Sequence, residues 1–167
     1  MVDRQQTVAE KVVLRPVVLP EDEAFLQHLY FCGRDDLTGV FPDETQLRQM
    51  LMIQYLGQKQ TYTQEFPDAD HDIILFEEQP VGRLMIDRRA EDLFGIDIAV
   101  LPRFRTLGIG TAVLRRLFDE CSQLGVPFRL SVVKGNPAIR LYERLGCEVE
   151  GESATHFFMK WDGHNSK

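Results

Sequence analysis

Residues 96–117, IDIAVLPRFRTLGIGTAVLRRL, constrain the fold of this chain more than any other stretch. An apolar run of Ile96, Ile98, Ala99 and Val100 stops at Pro102. Arg105, Gly108 and Gly110 then lead into Leu114, Leu117, Phe118, Cys121 and Leu124 at helical spacing. The pattern predicts a strand, a glycine turn and a helix. Glycines in such a turn let backbone N–H groups approach a ligand with no Cβ in the way, and the helix N-terminus adds partial positive charge. The expected cargo is an anion, phosphate above all.

Two common phosphate loops are excluded by spacing. No Gly-Lys-Ser or Gly-Lys-Thr is present, so this is not a nucleotide-hydrolysing P-loop, and the glycines do not fit GxGxxG. The 167 residues suffice for one domain that buries about two-thirds of its unfolded surface, with a core over 12–161 and disordered ends at 1–10 and 163–167. A hydrophobic share of 44% with no repeat, linker or low-complexity tract fits that expectation. The net charge of -7 argues against a nucleic-acid partner and suits a cationic substrate such as an amine. No apolar run reaches membrane-spanning length and 1–11 lacks a signal-peptide core, so the expected location is cytoplasmic, with no membrane partner. Cys32, Cys121 and Cys147 form no C-x-x-C pair, and His28, His71, His156 and His164 are scattered, which nominates neither a metal site nor a cysteine nucleophile with its histidine. Cys121 falls on the apolar stripe of its helix and reads as a buried hydrophobe.

In chain order, 11–18 reads as a strand whose Pro16 suggests an edge position, and 21–31 reads as a helix. After a loop over 33–42, Asp43 is an N-cap for a longer helix that reaches Gln64 and that Gly57 could interrupt. Residues 71–76 and 81–86 form a hairpin, and 93–100 extends the meander. Gly125 and Pro127 end the next helix, and 128–133 is a strand that should pair in parallel with 93–100, because a helix connects them. Asn136, Pro137 and Gly146 punctuate a short helix as N-cap, first helical residue and left-handed C-cap. Strands at 147–150 and 155–161 close the chain. The fold class is α/β, an α+β mixed sheet that is mostly antiparallel, with one parallel pair and about four flanking helices.

Two segments carry a family resemblance. Arg105-x-x-Gly108-x-Gly110 resembles the acyl-CoA pyrophosphate loop of the GNAT superfamily of N-acyltransferases. Asn136, Ala138, Tyr142 and Gly146 resemble that family's second signature, although Asn136 sits one residue closer to the alanine and Cys147 stands where phenylalanine is usual. The element order also resembles the GNAT topology across almost the whole chain. The resemblance implies that Arg105, Thr106, Leu107, Gly108, Ile109, Gly110 and Thr111 hold the pyrophosphate of coenzyme A, and that the backbone of Ile98, Ala99 and Val100 pairs with its pantetheine arm. It implies a further cofactor contact from Asn136, Ala138 and Tyr142, with Tyr142 as general acid at the departing sulfur.

Each assignment has a plainer alternative. The loop reads equally as a surface turn, Asn136 as a helix cap, and Tyr142 as a core tyrosine. A phenol of pKa about 10 can serve a thiolate of pKa about 8.5, and the amine must lose a proton to some base. Many relatives use a glutamate near the position of Phe94; here Asp97 is the remaining candidate, a carboxylate in an apolar strand, as base or as a substrate-orienting group. Alternation turns it away from Ile96 and Ile98 unless a bulge intervenes. Tyr62, Gln54 and Arg83 flank the acceptor side without an assigned role. The expected activity is direct transfer of an acetyl group from acetyl-CoA to a primary amine, with no metal. A non-catalytic acyl-CoA sensor and an unrelated α/β interaction domain are the alternatives, and a homodimer is compatible with all three.

Overall fold

Apolar residues alternating along short β-branched runs build one seven-stranded sheet, ordered β1-β2-β3-β4-β5-β7-β6. The structure, a computed structural model, describes residues 4–34, 37, 39, 40 and 43–163. Its strands are β1 (Val12–Pro16), β2 (Asp70–Phe76), β3 (Gln79–Arg88), β4 (Leu93–Val100), β5 (Phe128–Val133), β6 (Glu148–Glu152) and β7 (His156–Trp161). The helices are α1 (Arg4–Lys11), α2 (Glu23–Cys32), α3 (Glu44–Glu65), α4 (Ile109–Leu124) and α5 (Ala138–Arg144). β1 to β4 form the expected antiparallel meander, and Pro16 lies on an edge strand, where its missing N–H costs no ladder bond. Glu77 and Glu78 turn the β2–β3 hairpin at positive φ. At the other end β7 inserts between β5 and β6.

Cross-strand partners share a face, so the register divides the sheet into two environments. Ile74, Gly82 and Val100 align on one face, as do Asp72, Leu84 and Ile98. Ile74, Leu84, Ile98 and Val100 pack into the main core with Ile109, Val113 and Leu117 of α4. Ile73, Arg83 and Ala99, and His71, Met85 and Asp97, align on the opposite face. There Ile73 meets Leu26 of α2 and Tyr55 of α3 in a smaller core.

Two expectations are corrected. Residues 4–11 are helical rather than disordered: Val8 and Ala9 pack on the main core, and Arg116 of α4 donates to the carbonyls of Ala9 at 2.7 Å and Val12 at 2.5 Å. This helix makes five where the sequence suggested about four. Gly57 does not interrupt α3, which runs unbroken for 22 residues. A glycine there costs about 1 kcal/mol, and burial of Leu51 and Tyr55 on the same helix outweighs it. Asp43 caps α3 by accepting from the Thr45 N–H at 2.9 Å. Parts of the expected loop over 33–42, and residues 1–3 and 164–167, lie outside the described residues.

The feature that positions a site is the short β4–β5 pairing. The two strands run parallel only where Leu93, Phe94 and Gly95 meet Phe128, Arg129 and Leu130. Gly95 is required there, because a Cβ would come 2.7 Å from the Phe128 ring. Beyond Gly95 the edge of β4 that faces β5 has no strand partner among the described residues.

Candidate functional site

The open edge of β4 leads directly into the glycine turn. Leu101 anchors the turn by donating its N–H to the Val81 carbonyl at 2.8 Å, and residues 102–104 make a single tight turn. Thr106 and Gly108 then take positive φ, 69° and 91°, before α4 begins at the buried Ile109. No side chain caps this N-terminus. The first N–H groups of a helix have no intrahelical acceptor, so those of Ile109, Gly110 and Thr111 face outward at the positive end of a 16-residue dipole.

The two glycines serve different ends. Gly108 is needed for its left-handed backbone. Gly110 lets α5 pack closely, since a Cβ would lie 3.3 Å from Leu141 Cδ2 and that leucine would have to shift by a few tenths of an ångström. The glycine turn and the helix that carries Tyr142 are therefore packed against one another. Arg105 donates from Nε to the Val100 carbonyl at 3.1 Å, so its guanidinium lies at the end of the β4 segment that includes Ile98, Ala99 and Val100. Thr106 and the exposed Leu107 complete the turn.

α5 presents Tyr142 to the same region. Asn136 Oδ1 accepts from the Ala138 N–H at 2.9 Å, the side-chain cap that its position predicts. Gly146 ends the helix at φ 98°. Tyr142 is buried, and burial first, then the charge of Asp97, pushes its phenol up to about 12. The hydroxyl is thereby held protonated near neutral pH.

Asp97 reaches the α2–α3 face through a β-bulge. Met85 pairs with Asp97 but Ile86 pairs with Gly95, which leaves Ile96 unopposed. The extra residue puts Phe94 and Asp97 on one face, where Phe94 stacks on Phe66 with ring centroids 5.9 Å apart. The sequence suggests an isolated carboxylate in apolar surroundings; the structure gives it an arginine. Arg83 donates to Asp97 Oδ2 from Nε at 3.0 Å and again from Nη2, which also donates to Gln58 Oε1 at 2.7 Å. Its guanidinium lies 5.8 Å from the centre of the Tyr62 ring.

Tyr62 and Arg83 line a cavity of about 140 Å³ with Gln58, Tyr55, Glu23 and His71. Gln54 is not among its walls, and its Oε1 is buried without a partner among the described residues. Gln58 and His71 escaped the sequence reading. Gln58 stands one helical turn from both Gln54 and Tyr62, which was the available signal; His71 gave none until the hairpin register set it opposite Met85. One cysteine does have a histidine beside it: Cys32 Sγ lies 3.5 Å from His28 Nε2, one turn away on α2 and outside this cavity. Burial raises the other two thiols, Cys121 to about 11 and Cys147 to about 12, which makes both poor nucleophiles. Among the described residues no group of three or more His, Cys, Asp or Glu side chains could hold a metal ion, and no helix is long and apolar enough to cross a membrane.

Comparison with known proteins places this arrangement. A sequence model of the Acetyltransferase (GNAT) family matches residues 38–147. No curated protein sequence matches the chain significantly. Among solved structures, the PaiA N-acetyltransferase of Thermoplasma acidophilum in complex with coenzyme A superposes with a TM-score of 0.68 at 16% identity, covering 90% of this chain and 98% of that one. The spermidine N-acetyltransferase of Vibrio cholerae, in complex with CoA and spermine, gives 0.63 at 17%, covering 91% and 95%. Arabidopsis thaliana Naa50, in complex with the bisubstrate analogue CoA-Ac-MVNAL, gives 0.60 at 18%, covering 90% and 98%. All three share the fold.

Proposed function

Because the chain belongs to the GNAT family of acetyltransferases, we propose that it transfers the acetyl group of acetyl-CoA directly to a primary amine. The observations that carry this reading are the uncapped α4 N-terminus, the unpaired edge of β4 that leads into it, and the packing of α5, which carries Tyr142, against Gly110. The turn from Arg105 to Thr111 would hold the pyrophosphate through backbone N–H groups. Ile98, Ala99 and Val100 would offer the pantetheine amides a strand edge. Ala138 and the capping Asn136 would flank the thiol end.

In the reaction the amine lone pair attacks the acetyl carbonyl, the C–N bond forms, the C–S bond breaks, and the electron pair leaves on sulfur. A phenol held near 12 is a weaker acid than a thiol of pKa about 8.5, so Tyr142 stabilises the departing thiolate chiefly as a hydrogen-bond donor. The proton that finally rests on sulfur comes from the amine. Asp97, fixed by Arg83, would orient that amine and accept its proton through contact or a water. With both buried thiols held protonated by their raised pKa values, direct transfer fits better than an acyl-cysteine intermediate.

Calorimetry with acetyl-CoA and free-thiol release across amines and peptide N-termini test the proposal together. Binding with amine-dependent thiol release is the expected result. Tight binding with silence on every amine would favour a non-catalytic acyl-CoA sensor, and absence of binding would remove both readings.

A further inference from the structure

The cavity on the α2–α3 face is apolar over much of its wall, with Leu19, Leu26 and Met85 contributing. Of the polar side chains that also line it, His71 carries an atom left without a partner. His71 Nε2 is buried and has no hydrogen-bond partner among the described residues. An unsatisfied buried nitrogen costs about 1–3 kcal/mol, so its persistence at a cavity wall points to a partner that is not part of the protein.

The charges around it constrain that partner. Burial first, with Arg83 on β3 and Lys59 on α3 acting in the same direction and Asp97 on β4 and Asp22 before α2 opposing them, lowers the His71 pKa to about 4. The imidazole is neutral at pH 7, with one nitrogen donating and one accepting. A hydroxyl, which both donates and accepts, satisfies Nε2 in either tautomer. The carboxylates nearby are already matched: Glu23 takes Lys59 Nζ at 3.0 Å and the Tyr55 hydroxyl at 2.9 Å, Arg83 holds Asp97, and Arg15 holds Asp22. A second ammonium entering the cavity would meet no unmatched carboxylate among these.

We infer that this cavity receives the tail of the amine acceptor, that the acceptor is a small primary amine ending in a neutral hydroxyl, and that His71 is the residue selecting it. The inference rests on the acyltransferase reading above. Arg83 lines the cavity and holds Asp97, which is not itself among the lining residues; the proposal sets the reacting nitrogen toward Asp97 and the hydroxyl toward His71. His71, Met85 and Asp97 occupy one cross-strand row. The backbones of β2 and β4 lie two strand spacings apart, about 10 Å, so only a short chain spans the groups they carry. A three-carbon amino alcohol is such a chain.

The test follows free-thiol release at saturating acetyl-CoA with 3-amino-1-propanol, its isostere n-butylamine, and spermidine. The wild type should prefer the amino alcohol over n-butylamine by at least about tenfold in kcat/KM, because a site built to bond a hydroxyl rejects the analogue lacking one. His71→Phe should erase that preference by raising KM for the amino alcohol, with kcat and acetyl-CoA affinity within about twofold of the wild type. His71→Gln, which keeps a donor and an acceptor, should restore part of it and decides the matter should the phenylalanine variant not fold. Preference for spermidine, or a preference untouched at His71, overturns this inference and leaves the acyltransferase reading standing. Silence on every amine despite acetyl-CoA binding overturns both.

Discussion

The two walls proposed for the acetyl-CoA and acceptor sites are built by different means. At α4 the groups proposed to bind are backbone N–H groups from adjacent residues, Ile109 to Thr111, presented by one left-handed glycine and a helix dipole. At the acceptor wall they are side chains from separate elements: Glu23 on α2, Gln58 and Tyr62 on α3, His71 on β2, Arg83 on β3 and Asp97 on β4. The first wall depends on backbone chirality and local geometry, so most side-chain changes leave it intact. The second depends on strand register and charge matching, so a single substitution can retune or break it. One ligand can be held constant by the first wall while the second varies.

The largest expected effect lies in the charge pair of the acceptor wall. The Arg83 side chain is 9% exposed and that of Asp97 23%. Arg83→Leu leaves a largely buried carboxylate unmatched and should cost about 3 kcal/mol in urea unfolding, most of it recovered in Arg83→Leu/Asp97→Leu. Acetyl-CoA affinity should stay within about threefold, since the other wall is untouched. A parallel collapse of acetyl-CoA binding in a folded variant would show that the walls are not separable.

Tyr142 is buried on α5, and Asp97 of the acceptor wall already acts on it electrostatically. Tyr142→Phe should lower kcat by about 100-fold, or about 2.7 kcal/mol, with little change in acetyl-CoA affinity. Unchanged turnover would leave it a core tyrosine.

Acid should strike the acceptor wall first. The folded pKa of His71, about 4, lies below the unfolded value near 6.5, so the unfolded chain binds the extra proton as pH falls through that window. The associated stability is fully present above pH 6.5 and is lost toward pH 4, by about 2 kcal/mol after allowance for partial exposure. Asp22, held down to about 2 first by its bonds from Arg15 and then by the Val18 N–H, sustains its own contribution until still lower pH. Urea midpoints measured from pH 7 to 4 should fall for the wild type and stay flatter for His71→Gln. Parallel slopes in the two proteins would exclude His71 as the source.

The same contrast explains what was legible in the sequence. Gly108, Asn136 and Gly146 announce their structure because each solves a local problem: a left-handed turn, an orphan N–H, a helix end. With them came the strand-turn-helix, the parallel β4–β5 pair and the edge position of β1. The bulge at Ile96 is set by how β3 packs on β4, and it decides which face Asp97 occupies. Arg83 finds Asp97 fourteen residues away, and His71 enters the cavity only through the hairpin register. Helix α1 was misread for a related reason. Its sequence is polar, and Arg116, more than a hundred residues later, fixes its end.

The smallest effect separates two glycines that the sequence treats alike. An alanine at Gly108 must adopt φ near 91°, a left-handed strain of about 1–2 kcal/mol, and it would tilt the N–H groups proposed to face the pyrophosphate. At Gly110 the backbone is helical, and a Cβ 3.3 Å from a leucine methyl asks only for a shift of a few tenths of an ångström. Helix propensity favours alanine there by up to about 1 kcal/mol, which offsets much of that contact. Gly108→Ala should therefore weaken acetyl-CoA binding by about tenfold, while Gly110→Ala stays within about threefold; neither should alter the acceptor preference. Equal losses at both positions would mean that close ligand approach at Gly110 matters as much as backbone conformation at Gly108. The first wall would then be a contact surface as well as a set of aimed N–H groups.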